Sequence, residues 1–288
     1  MNLMEQYFYG KDGVKLFCRK DIPSKCKCIV VIAHGFMEHS GRYIDFGKVL
    51  VAHNIGVCII DLRGNGLSEG AKGDIEDFFD FVEDLYCLIQ ELQCTYKKPI
   101  ITYGHSMGGL ITFIYGLWHK ETLMGQILGS PALGVPIGMK HLPAAFYENL
   151  GCMAGDLKIH RVGEGLATRN EVFIDAFKED QVCNSFATMR FMDQFLRRGV
   201  EYAIEHAKEY AVPSLFLLGT KDLIIPISRN RELVKKIPFE DKQVIEYEAC
   251  MHDLLHDLDV EVQKIQQDII GWIEKLIEKH NKINESLI

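Results

Sequence analysis

Apolar runs and apolar periodicities alternate along this chain. Uninterrupted stretches rich in Val, Ile and Leu fall at Cys28–Ala33, Gly56–Asp61, Pro99–Gly104, Gln126–Gly129 and Ala211–Gly219. Runs of that kind suit strands covered on both faces, as in a parallel sheet. Between them, apolar residues recur at three- and four-residue spacing, the mark of a helix with one buried stripe. Gly41–His53 carries Tyr43, Phe46, Val49 and Leu50, and Ile75–Tyr96 carries Phe78, Phe79, Val82, Leu85, Leu88, Ile89 and Leu92. Met107–His119 and Ser228–Ile237 read as further helices, Gln243–Tyr247 as a strand, and Asp253–His280 as a long amphipathic helix. At the start, Glu5–Tyr9 and Val14–Arg19 flank Gly10-Lys11-Asp12-Gly13, a hairpin signal.

Strands alternating with helices imply crossover connections and a mostly parallel central sheet flanked by helices. The alternation breaks between Pro131 and Tyr210, where helical candidates dominate: Leu142–Met153, Asn170–Lys178 and Asn184–His206. The pattern therefore predicts an α/β core from residues 1–130 and 211–288, with a helical cap inserted at 131–210. Asp253 and Asp257 read as first-turn residues of the last helix, where acidic side chains suit the helix dipole. His256 reads as a surface residue of that helix, and the tail Asn281–Ile288 is expected to fray.

Composition narrows the function. The chain has 288 residues, 48% hydrophobic and 25% charged, enough apolar material for a full core. Its 32 basic and 40 acidic residues leave a net charge of −8, with no long basic run. Nucleic-acid binding through phosphate neutralisation is disfavoured. Nine cysteines occur with no CxxC pair, and Cys26-Lys27-Cys28 alone lacks zinc-site spacing. Reduced thiols in a cytoplasmic protein, with no metal and no cofactor, are the expectation. The first residues carry no targeting pattern, and no apolar run reaches the roughly 18 residues of a membrane helix.

The chemistry centres on Gly104-His105-Ser106-Met107-Gly108-Gly109. This is Gly-x-Ser-x-Gly between a predicted strand and a predicted helix, the context of a nucleophile elbow. A serine hydroxyl needs a base, and the base needs an orienting acid. In such folds the order is Ser, acid, His. Asp222 follows the strand ending Leu217-Leu218-Gly219, and His252 follows the last strand. Asp61 precedes Ser106, the wrong order for the acid. Groups at the carboxyl ends of parallel strands gather at one sheet edge. The oxyanion of a tetrahedral intermediate needs two N–H donors. The backbone of Met107, after the serine, and of Phe36, in the loop after an early strand, are the candidates. His34 beside it reads as a residue that holds its loop by hydrogen bonds. Cys250, two residues before His252, reads as a buried thiol.

With these residues in place, the chain resembles the α/β-hydrolase fold, and within it the monoacylglycerol lipase and lysophospholipase group. Three segments carry the likeness: His34-Gly35-Phe36-Met37-Glu38-His39-Ser40-Gly41-Arg42-Tyr43, Asp61-Leu62-Arg63-Gly64-Asn65-Gly66-Leu67-Ser68-Glu69-Gly70, and the elbow. It extends from about Tyr7 to Lys275 and thins across the insertion. The resemblance implies hydrolysis of a fatty acyl ester, with Ser106 as nucleophile, Asp222 as acid, His252 as general base, and Phe36 and Met107 as oxyanion donors. It also implies that the insertion forms an apolar cap over the acyl chain. Asn65 stands where the group usually has histidine, and Asn tolerates left-handed backbone in a loop. Phe36 stands where the group usually has a small residue, which narrows the room for an acyl chain.

The cap composition agrees: Leu142, Ala145, Phe146, Leu150 and Met153 form one apolar set, and Phe186, Met189, Phe191, Met192, Phe195 and Leu196 another. A small lipid ester is the expected partner, with transient contact between the cap and a membrane or micelle. Two other readings share the elbow. One is a peptidase of the proline-iminopeptidase type, using Glu164 or Glu171 for a free amino terminus. The other is a non-catalytic hydrolase fold that binds a ligand. The pattern leaves acyl length, head group and oligomeric state open.

Overall fold

The computed structural model describes residues 3–134, 154–160 and 164–286. The described strands are β1 (Met4–Tyr9), β2 (Lys15–Asp21), β3 (Ile29–Ala33), β4 (Gly56–Ile60), β5 (Ile100–His105), β6 (Gly125–Gly129), β7 (Lys158–His160), β8 (Phe186–Thr188), β9 (Ser214–Gly219) and β10 (Lys242–Tyr247). Eight of them form one sheet in the order β1-β2-β4-β3-β5-β6-β9-β10, and β7 pairs with β8 apart from it. The β1–β2 and β2–β4 pairings are antiparallel, and every other pairing in the large sheet is parallel. All residues of β3, β4, β5, β6 and β9 are buried, as continuous apolar runs require. The edge strand β10 keeps several exposed positions.

The described helices are α1 (Ile44–Ala52), α2 (Asp80–Tyr96), α3 (Met107–Trp118), α4 (Glu171–Glu179), α5 (Met189–Asp193), α6 (Val200–His206), α7 (Ile227–Lys236) and α8 (Asp259–Ser286). Alternation along β3 separates two cores. Ile29, Val31 and Ala33 pack with Leu85, Leu88 and Ile114 of α2 and α3, while Val30 and Ile32 pack with Phe46, Leu50, Ile269 and Ile273 of α1 and α8. One strand thus cements helices on both faces. The sheet takes strands from both flanks of the insertion, because β6 pairs directly with β9. This is the mostly parallel sheet flanked by helices that the sequence pattern predicts.

Three helix boundaries depart from the periodicity. The stretch from Ile75 is helical only from Asp80. Asp74 and Asp77 turn their carboxylates onto the N–H groups of Ile75 and Phe79, and that local bonding competes with helix. The stretch from Asn184 opens as β8, and its helix starts at Met189 after Thr188, whose hydroxyl accepts from Phe191 N–H at 3.0 Å. A three-residue strand is too short to leave a periodic signal. Between α5 and α6 the chain widens into a π-helical stretch, Gln194–Gly199. The last helix begins at Asp259, not Asp253, and continues to Ser286, so the tail expected to fray from Asn281 is helical there. The expected helix Leu142–Met153 and its apolar face lie outside the described residues.

Candidate active site

Ser106 is the residue between β5 and α3, with φ 51° and ψ −115°. A side chain at positive φ costs about 1–3 kcal/mol and persists only when its surroundings over-determine it. Here Ser106 N–H donates to Gly129 O at 3.0 Å, while Ser106 O accepts from Leu110 N–H at 3.1 Å and Ala132 N–H at 2.9 Å. The turn closes only because its flanks are glycine. A Cβ on Gly104 would lie 2.3 Å from Gly108 O, and one on Gly108 would lie 2.2 Å from Ala33 O and 2.5 Å from His34 O. The start of α3 therefore rests on the loop that leaves β3.

Asp222 follows β9 and His252 follows β10, and both are buried. His252 Nδ1 lies 2.7 Å from Asp222 Oδ2. A carboxylate only accepts, so Nδ1 carries the proton and Nε2 keeps its lone pair. The other oxygen, Asp222 Oδ1, accepts from Ile224 N–H at 2.9 Å and Ile225 N–H at 2.8 Å, which locks the carboxylate plane. Burial disfavours the imidazolium, but the charge and hydrogen bond of Asp222 outweigh it and hold His252 above the ordinary histidine value. The ring of His105, the residue before Ser106, is centred 5.0 Å from that of His252. The structure thus brings the surroundings of Ser106, Asp222 and His252 to one edge of the sheet.

Met107 opens α3, so its N–H has no acceptor within the helix. Phe36 lies in the loop after β3. Gly35 N–H donates to Glu38 Oε2 at 2.8 Å, and Met37 sits at φ 61°. His34 holds this loop: Nδ1 donates to Gly35 O at 2.8 Å, and Nε2 accepts from Leu62 N–H at 3.1 Å. Asn65 is not left-handed; the positive φ values fall on Gly64 and Gly66. Its side chain instead donates to Arg63 O at 2.9 Å and accepts from Asn184 Nδ2 at 2.8 Å. Asp61, dismissed as the acid on order, accepts from Ser40 N–H and Leu67 N–H.

A family model described as serine aminopeptidase, S33, a hydrolase family, matches residues 24–259. The chain belongs to this family. Among curated proteins it is 27% identical to the monoacylglycerol lipase of Mycolicibacterium smegmatis, over 93% of this chain and 96% of that protein. It is 28% identical to the monoglyceride lipase of Rattus norvegicus, over 94% and 90%. Among solved structures, the monoacylglycerol lipase of Paleococcus ferrophilus superposes with a TM-score of 0.78 at 25% identity, covering 96% of this chain and 99% of that one. A soluble variant of the Saccharomyces cerevisiae monoglyceride lipase, bound to a substrate analogue, gives 0.85 at 19% identity over 96% of each, a likeness of fold. The chain is an α/β-hydrolase and an enzyme of the serine hydrolase class.

Around this candidate site lies a buried polar network that the sequence reading passed over. Glu38 accepts from Gly35 N–H, from Tyr43 Oη at 2.8 Å and from Arg42 Nε at 3.2 Å. Burial would neutralise Glu38, but Arg42 and His105 hold it below the usual carboxylate range. Asp253 and His256 are not residues of the last helix. Asp253 caps a short 3-10 turn before α8 and His256 ends it; His256 Nδ1 lies 2.9 Å from both Asp253 oxygens, and His256 Nε2 donates to Arg42 O at 2.8 Å. Burial opposes the Asp253 charge too, and His256 and His105 overcome it, driving its pKa far down. Asp257 is also buried, accepting from Arg169 Nε at 2.8 Å and Leu258 N–H at 2.8 Å. The apolar spacing of the last helix hid all three, because a run of acids and histidines before a helix looks like an exposed first turn.

Two groups of described residues bring ligand atoms within 4.8 Å of one another: Glu38, His105 and Asp253, and His39, Asp180 and Cys183. The first is engaged in the network above. In the second, His39 Nε2 faces Asp180 Oδ2 at 2.8 Å while its Nδ1 accepts from Gly41 N–H at 3.1 Å. A ring whose Nδ1 is an acceptor carries its proton on Nε2, the atom that would have to bind the ion. Cys250 is fully buried, and burial pushes its thiol up to about 11, which keeps it protonated near neutral pH.

Proposed function

We propose that this chain hydrolyses carboxylic esters of fatty acids, with monoacylglycerol as the substrate class, through an acyl-enzyme on Ser106. The observation that carries this reading is the His252–Asp222 pair at 2.7 Å, beside the strained serine of the elbow. In the proposed cycle His252 Nε2 takes the Ser106 proton as Oγ bonds to the ester carbonyl carbon. Phe36 and Met107 N–H groups hold the resulting oxyanion. Collapse breaks the bond to the alcohol oxygen, and His252 gives that oxygen its proton, releasing glycerol. Water then attacks the acyl-enzyme, its proton passing through His252 back to Ser106 as the fatty acid leaves. These steps use only side chains and backbone of the chain, with no metal or cofactor.

Residues 131–210 are the cap in this reading. Of its apolar residues, Met189, Phe191, Met192, Phe195 and Leu196 are buried. Others face outward: Val172 is 80% exposed, Leu157 57% and Leu166 46%. That outward apolar set supports transient contact with a membrane or micelle. No helix among the described residues is long and apolar enough to cross a membrane. The buried thiols Cys18, Cys26, Cys28, Cys58 and Cys250 suit a cytoplasmic location.

The description of the family favours one rival, release of an amino-terminal residue from a peptide. It would need an anionic pocket for the amine. Glu171 is exposed in the first turn of α4, and the side chain of Glu164 lies outside the described residues. Initial rates on 1-monoacylglycerols of short, medium and long chain, a lysophospholipid, a diacylglycerol and a proline arylamide separate these readings, with Ser106→Ala beside the wild type. The lipase reading expects monoacylglycerols to lead and the alanine variant to lose about a thousandfold or more. Turnover of the arylamide alone would replace it with the peptidase.

A further inference from the structure

Phe36 is held on both sides by different parts of the molecule. Before it, Gly35 N–H is fixed by Glu38, a core residue. After it, Met37 stands at φ 61°, and its carbonyl accepts from Asn184 N–H at 3.2 Å. Asn184 belongs to the inserted segment, and its own side chain donates to Gly64 O at 2.9 Å and Asn65 Oδ1 at 2.8 Å. The half-buried ring of Phe36 packs against two more residues of that segment, Phe191 at 5.4 Å and Phe195 at 5.8 Å between centroids. Those two are braced from behind, Phe195 stacked at 6.0 Å on Phe78 and Phe191 edge-on to Phe81 at 6.1 Å. Phe195 lies in the π-helical stretch, an irregularity of the kind that recurs at functional sites.

We infer that the inserted segment positions the Phe36 N–H of the oxyanion hole, with Phe191, Phe195 and the Asn184 backbone as positioning residues. A non-glycine at positive φ stays there only under external restraint, and the Asn184 N–H on the Met37 carbonyl supplies one from the inserted segment. The Phe36 peptide can pivot unless its ring is pinned, and the pins are Phe191 and Phe195. Hydrogen bonds to a developing oxyanion weaken steeply with misalignment. Loosening the pins therefore lowers the rate of the chemical step for every acyl length.

This rests on the assignment of Phe36 N–H as a donor. The test measures kcat and KM of Phe191→Ala and Phe195→Ala on an acetate ester and on a long-chain monoacylglycerol. Beside these, it measures inhibition by a short trifluoromethyl ketone, whose adduct with serine places an oxyanion in the same hole. The expected result is a fall in kcat of about 10- to 100-fold on both esters, KM within about threefold, and a matching rise in Ki. Loss confined to KM of the long-chain ester, with acetate turnover and Ki unchanged, would overturn it and leave the two rings as a wall for the acyl chain. If an alanine variant does not fold, Phe195→Leu takes its place. It is expected to lower acetate kcat about threefold, and an unchanged kcat overturns the inference. A wild type that cleaves neither ester defeats the functional reading itself, whereas active wild type with unaffected variants defeats only the positioning role.

Discussion

Replacing Asp222 by Asn tests the roles at the site with almost no change of shape. Oδ1 of Asp222 accepts two backbone N–H bonds, from Ile224 and Ile225. In the variant only the amide oxygen can occupy that position, so the amide NH2 must face His252. Nδ1 of His252 then has to accept and the proton moves to Nε2, the atom that should take the proton of Ser106. The base is lost while the packing survives. In serine proteases the equivalent acid-to-amide change lowers turnover about 10⁴-fold, or about 5 kcal/mol of transition-state stabilisation at 1.36 kcal/mol per decade. We expect a loss of that order in kcat for a short-chain monoacylglycerol, with KM within about twofold because the acid touches no substrate. Steady-state kinetics with an active-site titration checks it, and thermal unfolding verifies that the variant is folded. A loss of less than about tenfold in a folded variant would refute the tautomer argument.

Two further outcomes follow from the electrostatics. His252 must be neutral to accept a proton, and Asp222 holds its pKa above the ordinary value. The acid limb of kcat/KM is therefore expected above about pH 6.5, with activity falling as the pH drops through the raised pKa; a flat profile from pH 5 to 8 would contradict this. Asp253→Asn leaves the His256 Nδ1–H without its buried carboxylate acceptor and removes a charge beside Arg42, and is expected to cost about 3 kcal/mol at pH 7, read by urea unfolding. Because the pKa of Asp253 is depressed on folding, its stabilisation is present above the unfolded carboxylate pKa and lost as pH falls toward the folded one. The gap between wild type and variant should accordingly shrink in acid; a gap that stays constant down to pH 3 would count against the buried charge.

The central strands β3, β4, β5, β6 and β9 were legible because they are buried on both faces, and a fully apolar run has few other uses. The elbow was legible for a different reason. Gly104 and Gly108 stand where backbone oxygens lie within 2.3 Å of any added Cβ, so sterics write those positions into the sequence. Asp222 and His252 were read from their order along the chain, and the structure brings their side chains into contact. What escaped were interactions between distant segments. The link from Glu38 through Arg42 to Asp253 joins residues more than two hundred positions apart, and nothing local marks it. Arg42 also lies 4.1 Å from each of the rings of Phe173 and Phe177 on α4, a clasp with no periodic signature. The short β7–β8 pair escaped because three residues cannot display a period.

The direct pairing of β6 with β9 has a consequence for how such an enzyme can diversify. The polypeptide between them leaves at the carboxyl end of β6, beside the strand that leads into Ser106, and returns at the amino end of β9, the opposite end of the same parallel ladder. Its two ends are a fixed distance apart whatever its length, so lengthening it adds only a slowly growing closure entropy and shifts no hydrogen bond of the sheet. Different connecting segments can therefore be exchanged over an unchanged sheet. The exchange is not unconstrained: any replacement must still present a backbone donor to Met37 and a bulky side chain to Phe36, or the loop after β3 loses its shape.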